Sequence, residues 1–144
     1  MRHLGAILVL AGCAGTGQSA GERLLNDVRS YHEDLRWRRF DDAAELVPPA
    51  SRERFMDDRD ALDDDLRIDD YEIERTKMVK EGVAEVQVRY TWHLDTRGTV
   101  HETVVEQRWE RIGRGWLLFA EDRKRGEPMP EPPPSEPRNE PPVP

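Results

Sequence analysis

The sequence has one cysteine, Cys13, which excludes an intramolecular disulfide framework and any zinc site built on several thiolates. Long apolar runs are also missing, since the apolar stretch 4–10 is far shorter than the roughly 20 residues a membrane-spanning helix needs. A basic excess is absent too. The net charge of −8 argues against nucleic acid and against electrostatic docking on anionic lipid. No Gly-rich phosphate loop and no Gly-x-Ser-x-Gly motif occurs, so nucleotide chemistry and serine hydrolysis lack support.

What is present suffices for one domain. The chain has 144 residues, 36% apolar residues and four tryptophans, which can anchor a single core. Its first residues have the layout of a secretory signal: a positive start at Arg2, an apolar stretch at 4–10, and small residues before Cys13. The chain is therefore predicted to be exported.

The segment Leu10-Ala11-Gly12-Cys13 resembles the lipobox of bacterial lipoproteins. This resemblance implies cleavage between Gly12 and Cys13 and attachment of diacylglycerol to the Cys13 sulfur. It also implies a membrane anchor with the domain in the periplasm, and because Ala14 is not the Asp that retains such proteins in the inner membrane, the outer membrane is favoured. The alternative is an ordinary cleavable signal with an incidental cysteine, which would leave a free thiol in an oxidising compartment.

Four segments follow from this interpretation: a signal peptide at 1–12, a lipidated cysteine and flexible tether at 13–20, a domain at 21–125, and a tail at 126–144. Nine of the eleven prolines fall in the tail, interleaved with Glu, so we expect it to be disordered and solvated. The alternative is a tail that reaches a proline-binding partner or the cell wall.

The first half of the domain is predicted to be helical. Ser19 and Glu22 have the spacing of a capping box, which predicts a helix start. An apolar stripe follows at helical spacing: Leu24, Val28, Tyr31 and Leu35. Asp41 is predicted to cap a short second helix that ends at Pro48. Ser51 is predicted to cap a third helix, which carries Phe55, Arg59 and Leu62.

The second half alternates with a period of two, as in half-buried strands. The apolar positions of the clearest strand are Ala84, Val86, Val88, Tyr90, Trp92 and Leu94. Gly82 and Gly98 suit the turns on either side. A loop at 95–98 sets the pairs Trp92–His101, Tyr90–Thr103, Val88–Val105, Val86–Gln107 and Ala84–Trp109. Leu117 and Phe119 of a last strand are expected beside Trp109 on the inner face.

These elements predict an α+β fold in which two to three N-terminal helices pack on one face of a curved four-stranded antiparallel meander sheet. The order of elements, the segments 37–41 and 107–111, and Gly115-Trp116 resemble NTF2-like, or cystatin-like, domains. This resemblance implies a cavity between the helices and the concave sheet. Some members bind a small molecule there or catalyse a reaction with an inward Asp and His.

The candidate pocket consists of inner-face residues: Tyr90, Trp92, His101, Thr103, Gln107 and Trp109. His101 could act as a general base, but no inward carboxylate is predicted beside it, so no catalytic residue is assigned. The tryptophans are more simply core residues. No metal and no cofactor is expected, because the histidines lack ligand spacing and the acidic run at 57–65 lacks the order of a calcium loop and suits a solvated helix face.

Two functions remain. The preferred one is a non-catalytic envelope lipoprotein that engages another envelope protein or the cell wall through its domain or its tail. The alternative is a small-molecule-binding protein or degenerate enzyme that uses the cavity. A cavity filled by Trp92, Trp109 and helix side chains favours the first, and a cavity lined by Tyr90, His101 and Gln107 favours the second.

Overall fold

The computed structural model describes residues 17–134, so the lipobox, Cys13 and the end of the tail lie outside the described residues. Helix α1, Ala20–Arg36, begins at the predicted capping box: the Ser19 hydroxyl accepts from the Glu22 N–H and the Glu22 carboxylate accepts from the Ser19 N–H, each at 3.2 Å. The predicted stripe of α1 is buried, together with His32. The helix start and its core-facing side are therefore confirmed.

Replacing Ser19 with Ala is expected to cost about 1 kcal/mol of unfolding free energy, because the Glu22 N–H in the first turn loses the hydroxyl that accepts from it. Urea unfolding followed by far-UV circular dichroism checks this. Ser51 gives a matched control, since its side chain makes no capping hydrogen bond. A Ser51→Ala variant as destabilised as Ser19→Ala would contradict the capping assignment.

Helix α2, Phe40–Glu45, and helix α3, Arg52–Leu62, are joined by a 3-10 turn at Pro49–Ser51. Both helices occur where they are predicted, and Ser51 is the N-cap residue of α3 as predicted, but Asp41 is not the N-cap residue of α2. Arg39 precedes α2, which places Asp41 inside the first turn, and neither α2 nor α3 has a side-chain cap hydrogen bond. None of the helices in the described part of the chain is both long and apolar enough to cross a membrane.

The sheet is an antiparallel meander of β1, Leu66–Lys80, β2, Val83–Leu94, β3, Val100–Ile112, and β4, Gly115–Gly126, in sequence order. The five residue pairs predicted between β2 and β3 are all observed. Gly98 has the positive φ, 62°, that the loop requires. This confirms the α+β fold class, three helices followed by a four-stranded meander.

The last strand departs from its prediction in two ways. The turn at 113–114 pairs Ile112 with Gly115, so that Leu118 faces Trp109 and both Trp116 and Leu118 are buried. Further along, between the pairs Trp109–Leu118 and Arg108–Ala120, β4 contains one extra residue, Phe119, which forms a β-bulge and is exposed. The expectation that Leu117 and Phe119 join Trp109 on the inner face is therefore wrong, because their side-chain alternation starts one residue earlier.

The core lies between α1 and the concave face of the sheet. Its central side chains are Leu24, Val28, Tyr31, Val86, Val88 and Trp109. The opposite face of the sheet is polar and carries ion pairs between strands, such as Arg89 with Glu72 and Glu74 and Arg125 with Glu74. The functional side chains of this domain must therefore be sought on the concave face, at its open end, and in the loops.

Candidate functional site

The concave face collects the predicted pocket residues. Tyr90, Trp92, Thr103, Gln107 and Trp109 are buried there. His101 is half-buried at the start of β3, with its ring 4.6 Å from the Trp92 ring, centroid to centroid. The structure thus places His101 away from the other polar side chains and brings Tyr90 and Gln107 together.

Gln107 is the centre of a buried polar network. Its carbonyl oxygen accepts from the Trp109 indole N–H at 3.0 Å. Its amide nitrogen lies 3.1 Å from His32 Nε2, 3.2 Å from the Tyr90 hydroxyl and 2.6 Å from Glu121 Oε2. One amide therefore links α1, β2, β3 and β4.

His32, which the sequence analysis did not single out, is fully buried in this network. Its Nδ1 lies 2.6 Å from the Val28 carbonyl oxygen, and because a carbonyl only accepts, Nδ1 carries the proton and Nε2 accepts from Gln107. Burial lowers the pKa of His32 to about 4, so the ring is neutral at pH 7. Its position four residues after Val28, on the same helix face, is the sequence feature that could have predicted its burial.

Glu121 corrects the expectation that no carboxylate points inward. The bulge in β4 pairs Glu121 with Gln107, and Glu121 Oε2 accepts from both the Gln107 amide and the Tyr90 hydroxyl, the latter at 3.2 Å. Burial, and then the nearby Glu121 charge, raises the pKa of Tyr90 well above its ordinary value, so Tyr90 stays protonated and donates. The carboxylate lies beside Tyr90 and Gln107 rather than beside His101.

The chemical capacity of this network is limited by its own hydrogen bonds. Both ring nitrogens of His32 have partners, and the Tyr90 hydroxyl and the Gln107 amide also have theirs. A general base must be within reach of a substrate proton and free to accept it. The hydrogen bonds of these side chains instead connect α1 with β2, β3 and β4.

A groove of about 250 Å³ remains at the open end of the concave face. Its walls come from α3, the start of β1, the first half of β3 and the second half of β4: Arg59, Leu62, Leu66, Thr103, Val105, Glu121 and Arg123. Residues 128–132 form its remaining side. Arg59 Nε is buried here without a hydrogen-bond partner among the described residues. The cavity is thus filled next to α1 and open next to α3.

The first residues of the predicted tail contact the domain. Met129 packs against the core and is half-buried, as are Pro130 and Pro132. Residues 127–132 therefore lie against the domain, and residues 135–144 of the predicted tail lie outside the described residues.

The acidic run has local structural partners at its end. Asp63 accepts two hydrogen bonds from the Arg38 guanidinium at 2.6 Å, which lower the pKa of Asp63. Asp65 accepts from the Thr96 N–H at 2.8 Å and from the Thr96 hydroxyl at 2.9 Å, and its pKa is lowered as well. Within residues 17–134 no group of three His, Cys, Asp or Glu side chains could hold a metal ion.

A second surface lies at the end of α1. Trp37 is 60% exposed, and the Arg36 guanidinium lies 5.4 Å from its ring centroid. Beside it is an open hollow of about 420 Å³, which Arg67, Asp69 and His93 also line. A hydrogen bond to Asp69 raises the pKa of His93. We call Arg36, Trp37, Arg67 and His93 the Trp37 surface.

No protein-family model matches this chain, and no curated protein sequence matches it significantly. Solved structures do resemble it. A SEC-C motif containing protein from Rhodopseudomonas palustris superposes with a TM-score of 0.57 at 12% identity, over 67% of this chain and 74% of that protein. The VirB8 protein of Agrobacterium tumefaciens superposes with a TM-score of 0.51 at 14% identity, over 81% of this chain and 99% of VirB8. VirB8 has an NTF2-like fold, and at these identities the likeness concerns the fold alone; the α+β domain of this chain is NTF2-like.

Proposed function

We propose that this protein is a lipid-anchored component of the cell envelope whose NTF2-like domain binds another envelope protein and catalyses no reaction. The anchor rests on the lipobox resemblance at 10–13, with Cys13 as the acylated residue and the outer membrane as the favoured location. The tether 13–20 ends where α1 begins, at Ala20. The domain would thus be held close to the lipid by the few residues between Cys13 and α1.

The observation that carries the non-catalytic assignment is the closed hydrogen-bond network around Gln107. The imidazole and the phenol that a reaction in this cavity would need are bonded to other protein groups. His32, with a pKa of about 4, is also poorly matched to proton transfer near neutrality.

The Trp37 surface supports the binding role. Trp and Arg are enriched among the residues that dominate protein interfaces, and here an exposed Trp37 lies under the guanidinium of Arg36 beside an open hollow. A partner that covers Trp37 would bury a large apolar ring whose indole N–H already donates to Glu33 at 3.0 Å.

The anchor is tested with Cys13→Ser. We expect native protein from membranes to have an N-terminal acylated Cys13 by intact mass, and the variant to be unacylated and recovered in the non-membrane fraction. Two or more acyl chains at about 0.8 kcal/mol per buried CH₂ make the difference nearly complete. A wild-type protein with a free Cys13 thiol would refute the lipoprotein assignment and leave a secreted domain.

The partner surface is tested in cells that produce the protein with a photo-crosslinking residue in place of Trp37. We expect a discrete crosslinked envelope protein from position 37 and none from position 112, where Ile112 is also exposed, at 56%. Equal crosslinking from both positions would contradict a specific interface at Trp37.

A small-molecule ligand is the second candidate, and the groove of about 250 Å³ favours it. Its polar groups include Arg59, Thr103, Glu121 and Arg123, and His101 does not line it. Native mass spectrometry of the full protein checks this candidate. A bound molecule lost in Leu62→Trp, which fills the groove, would favour a ligand-binding protein over a pure interaction domain.

A further inference from the structure

The proline-rich residues 127–132, which we call the strap, turn back across the mouth of the groove. The turn is at Gly126, where φ is 86° and a Cβ would collide with the Glu102 carbonyl oxygen. Glu127 then donates its N–H to that oxygen at 3.0 Å. Only glycine fits this turn, which directs the strap along the sheet instead of into solvent.

A side-chain hydrogen bond also holds the start of the strap. The Thr103 hydroxyl donates to the Glu127 carbonyl oxygen and accepts from the Trp92 indole N–H at 2.8 Å. A buried indole is therefore connected to the strap through one hydroxyl. Its environment should change when the strap leaves.

The middle of the strap is anchored by apolar contact. Met129 packs on the core between two prolines, Pro128 and Pro130, and the groove offers Leu62 and Val105 as apolar walls. Prolines hold the backbone extended without internal hydrogen bonds, so little conformational entropy is lost on docking. The groove thus holds an extended Pro-Met-Pro peptide in the manner of a recognition site.

We propose that this groove is a binding site for an extended proline-rich peptide, and that the chain's own strap occupies it in cis. The site is separate from the Trp37 surface and does not depend on the lipid anchor. A tethered segment has an effective concentration of the order of millimolar, so a competing peptide in trans binds only when the strap is displaced. The strap, which forms one wall of the groove, therefore keeps such a peptide out by default.

The test uses the full chain with Cys13→Ser and compares Met129→Asp with Met78→Asp. Met78 is 44% exposed on β1 and gives the same substitution away from the groove. The readout is the indole N–H signal of Trp92 in a ¹H–¹⁵N NMR spectrum, assigned with Trp92→Phe, with exposed Trp37 as internal reference. We expect Met129→Asp to shift the Trp92 signal and Met78→Asp to leave it at the wild-type position.

A synthetic peptide with the sequence of residues 127–134 is then added to each protein. It should return the Trp92 signal of the Met129→Asp variant to its wild-type position, and wild-type protein should need at least about tenfold more peptide for any response. The same peptide with Asp in place of Met should have no effect. An unshifted Trp92 in Met129→Asp, or no rescue by the peptide, would overturn the proposal. If the wild-type protein is dimeric by sedimentation and the Met129→Asp variant is monomeric, the strap binds to a second copy of the chain. That result would overturn the cis assignment.

Discussion

Lowering the pH from 7 to 4 should destabilise the folded domain by about 3 kcal/mol through His32, the largest pH effect we expect from a single group. His32 is fully buried and neutral, and burial lowers its pKa from 6.5 to about 4. In the unfolded chain the ring regains its ordinary pKa and binds a proton below pH 6.5. The stabilising contribution of the neutral ring is therefore complete above pH 6.5 and is lost as the pH falls towards 4.

The measurement is the free energy of urea unfolding between pH 7 and pH 4 for wild type and His32→Gln. The difference between the two proteins should shrink as the pH falls, because Gln does not titrate. His93 is the control with the opposite sign: its pKa is raised by Asp69, so its contribution is present at low pH and lost as the pH rises past its folded pKa.

A second readout does not depend on the stability of the variant. The ring signals of His32 in the wild-type protein should stay those of a neutral imidazole at pH 5, when His93 is already protonated. A His32 that titrates near pH 6.5 in the folded protein would contradict the buried assignment.

Much of the fold was predictable because its sequence signals lie within a few residues of one another or in the alternation of apolar and polar side chains. The capping box at Ser19 depends on two side chains three residues apart, and the pairing of β2 with β3 depends on the loop at 95–98 and on the cost of turning Glu102 and Glu106 inward. Each of these signals lies within a short stretch of sequence. The structure accordingly confirms the α1 stripe and all five predicted pairs.

The site was less predictable because it depends on one inserted residue. The bulge at Phe119 changes which side chains of β4 point inward, and no alternation within β4 alone reveals it, since a bulge is defined by the partner strand. The inward position of Glu121 was therefore not predicted. Its carboxylate is the acceptor of the hydrogen bonds from Gln107 and Tyr90. Asp41 was misjudged for a different reason: its side chain suits a cap, but Arg39 is the N-cap residue of α2 and Asp41 lies inside the first turn. Ser51 is the N-cap residue of α3, although its side chain makes no capping hydrogen bond.

Replacing Gln107 with Ala should cost roughly 3 to 5 kcal/mol of unfolding free energy, the largest effect expected from a single polar substitution in this domain. Gln107 is fully buried, and its removal leaves the Trp109 indole N–H and His32 Nε2 without a partner in the interior. Each orphaned buried group costs about 1 to 3 kcal/mol, and the lost side chain also leaves a cavity. A loss of this size is a large share of the stability of a small domain.

The matched control is Gln87→Ala on the neighbouring strand. Gln87 lies on the outer face and donates to Glu74 at 2.7 Å, and because Glu74 keeps its ion pairs with Arg89 and Arg125 when Gln87 is removed, the replacement should cost less than about 1 kcal/mol. Urea unfolding with unchanged slope gives both values. If Gln107→Ala costs no more than Gln87→Ala, the network does not tie the helix layer to the sheet.

A double-mutant cycle separates this cost from simple loss of packing. If Gln107 matters because it satisfies His32, then replacing both residues with Leu should be less destabilising than the sum of the two single replacements by about 1 to 3 kcal/mol, since no buried acceptor is then left unpaired. Additive losses would mean that the two side chains act only by filling space. In that case the hydrogen bond between His32 and Gln107 would not hold these side chains in place. The main observation against catalysis on the concave face would then be lost.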